Sequence, residues 1–228
     1  MTITVLLVDD QALLRTGFRM ILEAHKDITV VGEAADGREA VHMAARLRPD
    51  VILMDIRMPH QDGVEATRQL TAAGTTSRVL ILTTFDVDEY AFSGLRAGAS
   101  GFLLKDVPPD QLIAAVRTIA SGDAVVSPRI TRQLLNRYAR QLPDRDNGST
   151  SRLPPALERL TDRERQVLLH IAAGQSNAEI GAALHVAEAT VKTHVTRLLA
   201  KLELRDRVQA VVFAYEAGLI IADNQEHH

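Results

Sequence analysis

The sequence predicts two domains of different class: an α/β domain on five parallel strands, then a smaller all-α domain behind a polar linker. Three observations carry this. Apolar, β-branched runs of strand length recur five times in the first 122 residues, alternating with helix-length segments. The stretch "LPDRDNGSTSRLPP" at 142–155, rich in Pro, Asp, Asn, Gly and Ser, then breaks the pattern. From Leu160 onward the periodicity is helical throughout.

The five runs are 3–8 "ITVLLV", 29–32 "TVVG", 51–54 "VILM", 79–83 "VLILT" and 100–104 "SGFLL". Continuous rather than alternating apolarity fits a parallel sheet covered on both faces. Helices are expected at about 12–24, 37–47, 63–73, 88–97 and 109–121, which closes a first domain at 1–122. The region 123–155 reads as a linker with a helix at about 128–141, because Ser127 followed by Pro128 is a cap followed by the residue favoured at the first helical position. In 156–222, Thr161 and Glu164 form a capping box, Gly174 closes that helix, and Ser176 and Glu179 form a second box. A third helix covers about 189–202 and a fourth about 206–217, so the two short helices flanking "HVAEA" make a helix-turn-helix candidate.

Composition narrows the class. Among 228 residues there is no cysteine, which excludes a disulfide framework and Cys-based metal or nucleophile sites. The opening "MTITVLLVDD" has no basic leader, and no apolar run approaches membrane-spanning length, so a cytoplasmic protein with no membrane partner is expected. Charge is uneven: residues 1–122 carry 12 basic against 16 acidic side chains, 123–155 carry 6 against 3, and 156–221 balance at 8 and 8. An acidic first part and a neutral last part suggest different tasks, with any nucleic-acid contact confined to a small face.

Four of the strands end on polar groups. The first runs into Asp9 and Asp10, the third into Asp55, the fourth into Thr83, and the fifth into Lys105. In a parallel sheet these ends share one edge, where ligand sites form near the topological switch point. Three carboxylates together repel unless a cation joins them, and an all-oxygen set selects Mg²⁺-like ions that favour phosphate partners. Lys105 can pair with an anion and Thr83 can donate to one. The set therefore suits metal-assisted phosphoryl transfer with a carboxylate as nucleophile. The plainer reading is that each aspartate is a turn or cap residue, with Asp9 or Asp10 capping the helix from Ala12.

The segments "VLLVDDQ", "VILMDIRMPHQDG", "VLILTTFD" and "GFLLKD" resemble the signature set of response-regulator receiver domains, and the region from Leu160 to Ile220 resembles a LuxR-type helix-turn-helix. In that order they are similar to the NarL/FixJ family of two-component response regulators. The resemblance implies a flavodoxin-like (βα)5 receiver followed by a four-helix DNA-binding domain. It implies Asp55 as phosphoacceptor for a sensor histidine kinase. Mg²⁺ would be held directly by Asp10, mainly through water by Asp9, by Asp55 and by the backbone carbonyl of Arg57. Thr83 and Lys105 would bind phosphoryl oxygens, and Phe102 would take the place of the switch aromatic, although a phenyl ring there is equally what a core needs. The output face would be that of the helix at 88–97, the last strand and the helix after it.

On the third helix of the second domain, Val191, Val195, Leu198 and Leu202 fall on one stripe and should be core. Lys192, Thr193, Thr196, Arg197 and Ala200 lie opposite, and in a recognition helix these meet double-stranded DNA. His194 has no metal partners at suitable spacing. The last helix, with Val208, Val211, Val212 and Tyr215, is the one by which the family pairs two DNA-binding domains, which implies a homodimer on phosphorylation or on DNA. Four positions depart from the family. Thr84 stands where many receivers have Ala and Asp106 where many have Pro. Ala187 replaces a capping Ser at the recognition-helix start, and Glu203 replaces Gly at its end.

Two other functions fit parts of the sequence: a DNA-binding regulator whose receiver is constitutive, and a Mg²⁺-dependent aspartyl phosphatase. The complete set of Asp9, Asp10, Asp55, Thr83 and Lys105 speaks against the first. Arg57 speaks against the second, because enzymes of the haloacid-dehalogenase type need an acid two residues after the nucleophile.

Overall fold

A computed structural model of the chain describes residues 2–83, 93–121 and 155–219. The chain divides into two compact units, Met1–Val125 and Val126–His228. The helix expected at 128–141, most of the linker, Thr84 and the start of the helix expected at 88–97 lie outside the described residues.

In the first unit, β1 (Ile3–Val8), β2 (Ile28–Ala34), β3 (Val51–Asp55), β4 (Arg78–Thr83) and β5 (Gly101–Leu104) form one sheet in the order β2-β1-β3-β4-β5. Every neighbouring pair is parallel. Side chains alternate between faces, as the strand period requires. Val5, Leu7, Val51, Leu53, Leu80 and Leu82 join a core with Phe18 and Leu22 of α1 (Ala12–Glu23) and Leu112, Val116 and Ile119 of α4 (Pro109–Ala120). The intervening residues Leu6, Val8, Ile52, Met54 and Ile81 are equally buried. On the sheet's other side, α2 (Gly37–Leu47) and α3 (Gly63–Ala72) pack against each other through small residues, among them Ala40, Ala44 and Ala66. With both faces covered, deleting one core side chain, as in Leu53→Ala, costs about 2–5 kcal/mol.

The chain leaves β1 toward β2 on one side and returns to β3 on the other. The carboxyl ends of β1 and β3 therefore flank the switch point, and those are the ends that carry the acids. The cap role allowed for Asp9 and Asp10 is not taken up: Gln11 is the N-cap of α1, with no side-chain cap bond. Residues 93–96 form a helical turn within the segment expected to be helical.

Among the described residues of the second unit the first element is a 3-10 helix (Pro155–Arg159), where the sequence reading had the linker giving way to the helical region. Four α-helices follow: α5 (Asp162–Ala172), α6 (Asn177–Leu184), α7 (Glu188–Leu202) and α8 (Arg207–Glu216). Both capping boxes are formed, Thr161 with Glu164 and Ser176 with Glu179. α5 packs on α7 and α8, and α6 on α7. The α6–α7 turn is tight: Val186 N donates to Gly181 O at 2.9 Å, and a Cβ on Gly181 would lie 2.8 Å from Val186 O. His185 takes the left-handed conformation there, φ 54°.

Candidate functional site

The acids that sequence reasoning placed at the strand ends do converge. Asp9, Asp10 and Asp55 each offer a carboxylate oxygen within 4.8 Å of the others, and among the described residues no other group of three metal-ligating side chains does so. Asp9 and Asp55 are buried and Asp10 is exposed. Asp9 Oδ1 accepts from Gln11 N at 2.9 Å, and Asp55 Oδ1 from Ile56 N at 2.7 Å. Each inner carboxylate thus keeps its other oxygen for a cation.

In this structure that cation is Lys105. Its Nζ lies 2.7 Å from Asp9 Oδ2 and 2.8 Å from Asp55 Oδ2, with its side chain only 7 % exposed. Asp9 Oδ2 is enclosed, and Lys105 is its charge partner there. Burial pushes the Asp55 carboxyl above the usual aspartate value, against the pull of Lys105. Burial also disfavours the charged lysine, but Asp55 and Asp9 outweigh it and raise its pKa. The donor set is three carboxylates with no imidazole or sulfur, one of them exposed and two held against Lys105. It fits a hard divalent cation that keeps some of its water.

Thr83 ends β4 and is buried; its carbonyl accepts from Lys105 N at 2.7 Å, so Thr83 and Lys105 arrive at the pocket together. Arg57 is exposed on the loop leaving β3. Phe102 pairs with Ile81 across β4 and β5 and is 9 % exposed, already turned from solvent. Arg15 belongs to the pocket's support and was not foreseen. It donates to the Asp9 carbonyl at 2.6 Å and to Glu33 at 3.2 Å, tying the β1–α1 loop to β2. An arginine one turn into the helix after "DD" is the sequence signal that pointed to it.

In the second unit, Lys192, Thr193, Thr196, Arg197 and Ala200 are all exposed along α7. Val191, Leu198 and Leu202 are core as expected, but Val195 is half-buried because it sits at the margin of the stripe. All four residues of the α8 stripe, Val208, Val211, Val212 and Tyr215, are buried. His194 is half-buried.

Long-range contacts unseen in the sequence tie α7 to α5, and α6 to α5 and α8. Glu164, read only as a cap residue, is buried, and its Oε2 accepts from Thr161 N at 2.8 Å and from Lys201 Nζ at 2.6 Å. Arg163 donates to Leu184 O at 2.7 Å, and Arg207 donates to Asn177 Oδ1 at 2.8 Å and to the carbonyl of Gln175. The partners are 21 to 37 residues apart, a separation no local pattern reveals.

Known proteins share these two domains. Residues 5–117 match the response regulator receiver domain, and residues 158–214 match the luxR family of bacterial regulatory proteins. The chain is 43 % identical over 218 residues to YxjL, a transcriptional regulatory protein of Bacillus subtilis, covering 96 % of this chain and 97 % of that one. It is 41 % identical over 220 residues to the response regulator VraR of Staphylococcus aureus, covering 96 % of this chain and all of that one. Among solved structures it resembles ChrA, the response regulator of a heme-sensing two-component system, at 36 % identity and a TM-score of 0.51 over 96 % of this chain and 99 % of that one. A receiver whose strand ends gather three acids and a lysine, followed by a LuxR-type helix-turn-helix, places this chain in the NarL/FixJ family of two-component response regulators, DNA-binding proteins that regulate transcription.

Proposed function

We propose that Asp55 is the phosphoacceptor of this response regulator and that its modification governs DNA binding. The observation that carries this is the gathering of Asp9, Asp10 and Asp55 at one sheet edge with Lys105 held against two of them. One Asp55 oxygen attacks phosphorus on a phosphohistidine of a sensor kinase. The P–N bond breaks, its electron pair leaves with the imidazole, and an acyl phosphate remains. Asp10 directly, Asp9 mainly through water, Asp55, and the backbone carbonyl of Arg57 would hold Mg²⁺, which when bound neutralises charge on the phosphoryl oxygens. Lys105 gives up Asp55 Oδ2 for a phosphoryl oxygen, and the Thr83 hydroxyl donates to another. Hydrolysis of the acyl phosphate returns Asp55, so the chemistry is self-limited and turns over no outside substrate.

Thr83 and Phe102 are the switch residues of this reading: Thr83 moves toward the phosphoryl group, and the buried ring repacks into the space released. Lys192, Thr193, Thr196 and Arg197 meet double-stranded DNA, and the protein acts in the cytoplasm as a homodimer formed on phosphorylation or on DNA.

The test is labelling by acetyl phosphate with Mg²⁺, followed by intact mass. One phosphoryl group per chain is expected, and none in Asp55→Asn. Undiminished labelling of that variant would refute the assignment.

A further inference from the structure

The exposed side of α7 has an ordered chemistry. At 3.6 residues per turn, Ala189, Thr193, Thr196 and Ala200 run along its middle, and Lys192 and Arg197 flank them; all six are exposed. On a helix laid in the major groove, flanking cations would meet phosphates and guanine acceptors, and the threonines between them would meet base edges.

In the DNA-free chain both threonines turn their hydroxyls back onto the helix. Thr193 Oγ1 donates to Ala189 O at 3.0 Å, and Thr196 Oγ1 donates to Lys192 O at 3.0 Å. A threonine bonded back to the i−4 carbonyl turns its oxygen along the helix and leaves its γ-methyl to face outward. Lys192 and Arg197 are then the hydrogen-bond donors on this face, and its centre is methyl. In the major groove only thymine presents a methyl group, at C5.

We infer that Thr193 and Thr196 are specificity-determining residues that read thymine through its 5-methyl group, by apolar contact rather than by donating a hydrogen bond. The inference rests on α7 being the DNA-reading helix, and it adds what kind of base that helix selects. Buried methyl against buried methyl gives a modest preference at each position, roughly fourfold.

The experiment uses the full chain, with acetyl phosphate and Mg²⁺ and without them. Binding sites are first selected from random duplexes, and each selected thymine is then replaced singly by uracil, which removes the methyl and keeps every hydrogen-bonding group. At two or more positions per half-site, uracil is expected to weaken binding roughly fourfold. Thr193→Ser and Thr196→Ser keep the hydroxyl and lose the methyl. Each should weaken binding to the thymine duplex by a similar factor and should abolish the thymine–uracil difference at one position. If sites are selected but uracil binds as well as thymine, or if the serine variants bind undiminished, the methyl reading is overturned and the DNA-reading helix stands. If no duplex is enriched, or if Lys192→Ala leaves binding intact, the assignment of α7 itself falls and takes this inference with it.

Discussion

A Cβ on Gly63 would lie 1.9 Å from the backbone carbonyl oxygen of Asp55. Helix α3 begins against the end of β3, with Gly63 N donating to Ile56 O at 2.8 Å and the buried Thr67 hydroxyl donating to Gly63 O at 2.6 Å. No side chain fits without moving the strand end that carries Asp55. Gly63→Ala is therefore expected to slow acetyl-phosphate labelling of Asp55 by about 100-fold, the effect of roughly 1 Å of misplacement. Overpacking should also cost about 1–3 kcal/mol of stability in a denaturant titration. Labelling at the parental rate would show that the strand end absorbs the methyl harmlessly.

Asp10 is the exposed acid of the pocket, so its replacement should spare the fold and weaken the metal. Asp10→Asn is expected to raise the Mg²⁺ concentration needed for half-maximal labelling roughly tenfold or more, with no loss of melting temperature in EDTA, where removing one of three repelling carboxylates favours the fold. An unaltered Mg²⁺ requirement would remove Asp10 from the ligand set.

Both ends of α7 are poorly made. Ala187 sits at the N-cap with no side-chain bond, and Glu203 holds the left-handed conformation at the C-cap, φ 58°. Ala187→Ser should add about 0.5–2 kcal/mol to the stability of the helical unit. Glu203→Gly should add about 1 kcal/mol by relieving the left-handed strain, since the lost contact with Arg159 is a surface pair of little weight. Thermal unfolding of the full chain checks both, and no rise for either variant would contradict the geometry of these two ends.

Glu164 makes stability depend on pH. Burial works to raise its carboxyl pKa, but Lys201 and the Thr161 N–H and hydroxyl together hold it below the ordinary value of 4.5. A carboxylate lowered on folding stabilises the native state above its unfolded pKa, and that contribution disappears as pH falls through the folded value. Glu164→Gln is expected to cost about 1–3 kcal/mol at pH 7, a moderate figure because Lys201 is 36 % exposed. The gap between variant and parent should narrow below pH 4.5. A gap independent of pH would mean that shape, and not charge, matters at this position.

The strands and the acid pocket were legible because each apolar run stops on a polar side chain, and parallel topology sends those stops to one edge. Asp9, Asp55, Thr83 and Lys105 could be placed without coordinates for that reason. Capping was legible for the same local reason at Thr161 and Ser176, whereas the missing cap at Ala187 was legible only against the family's pattern. The second role of Glu164 was hidden: a capping box accounts for the residue completely, and Lys201 lies 37 positions away. Arg163 and Arg207 were hidden likewise, because carbonyl partners leave no trace in residue type. Val195 was assigned wholly to the core because periodicity gives the direction of a stripe more sharply than its width.

Lys105 reaches from beyond β5 to carboxylates on β1 and β3, clasping strands that are not its neighbours. The resting pocket thus supplies its own counter-ion, and on the role proposed for Asp55 an arriving phosphoryl group must compete for that ammonium before it can profit from it. Such a receiver has a threshold set by internal rivalry: the tighter the clasp, the less a weak or stray phosphodonor can trip it. Sensitivity to the signal could therefore be retuned by shifting a single tether length, leaving every reacting atom as it is.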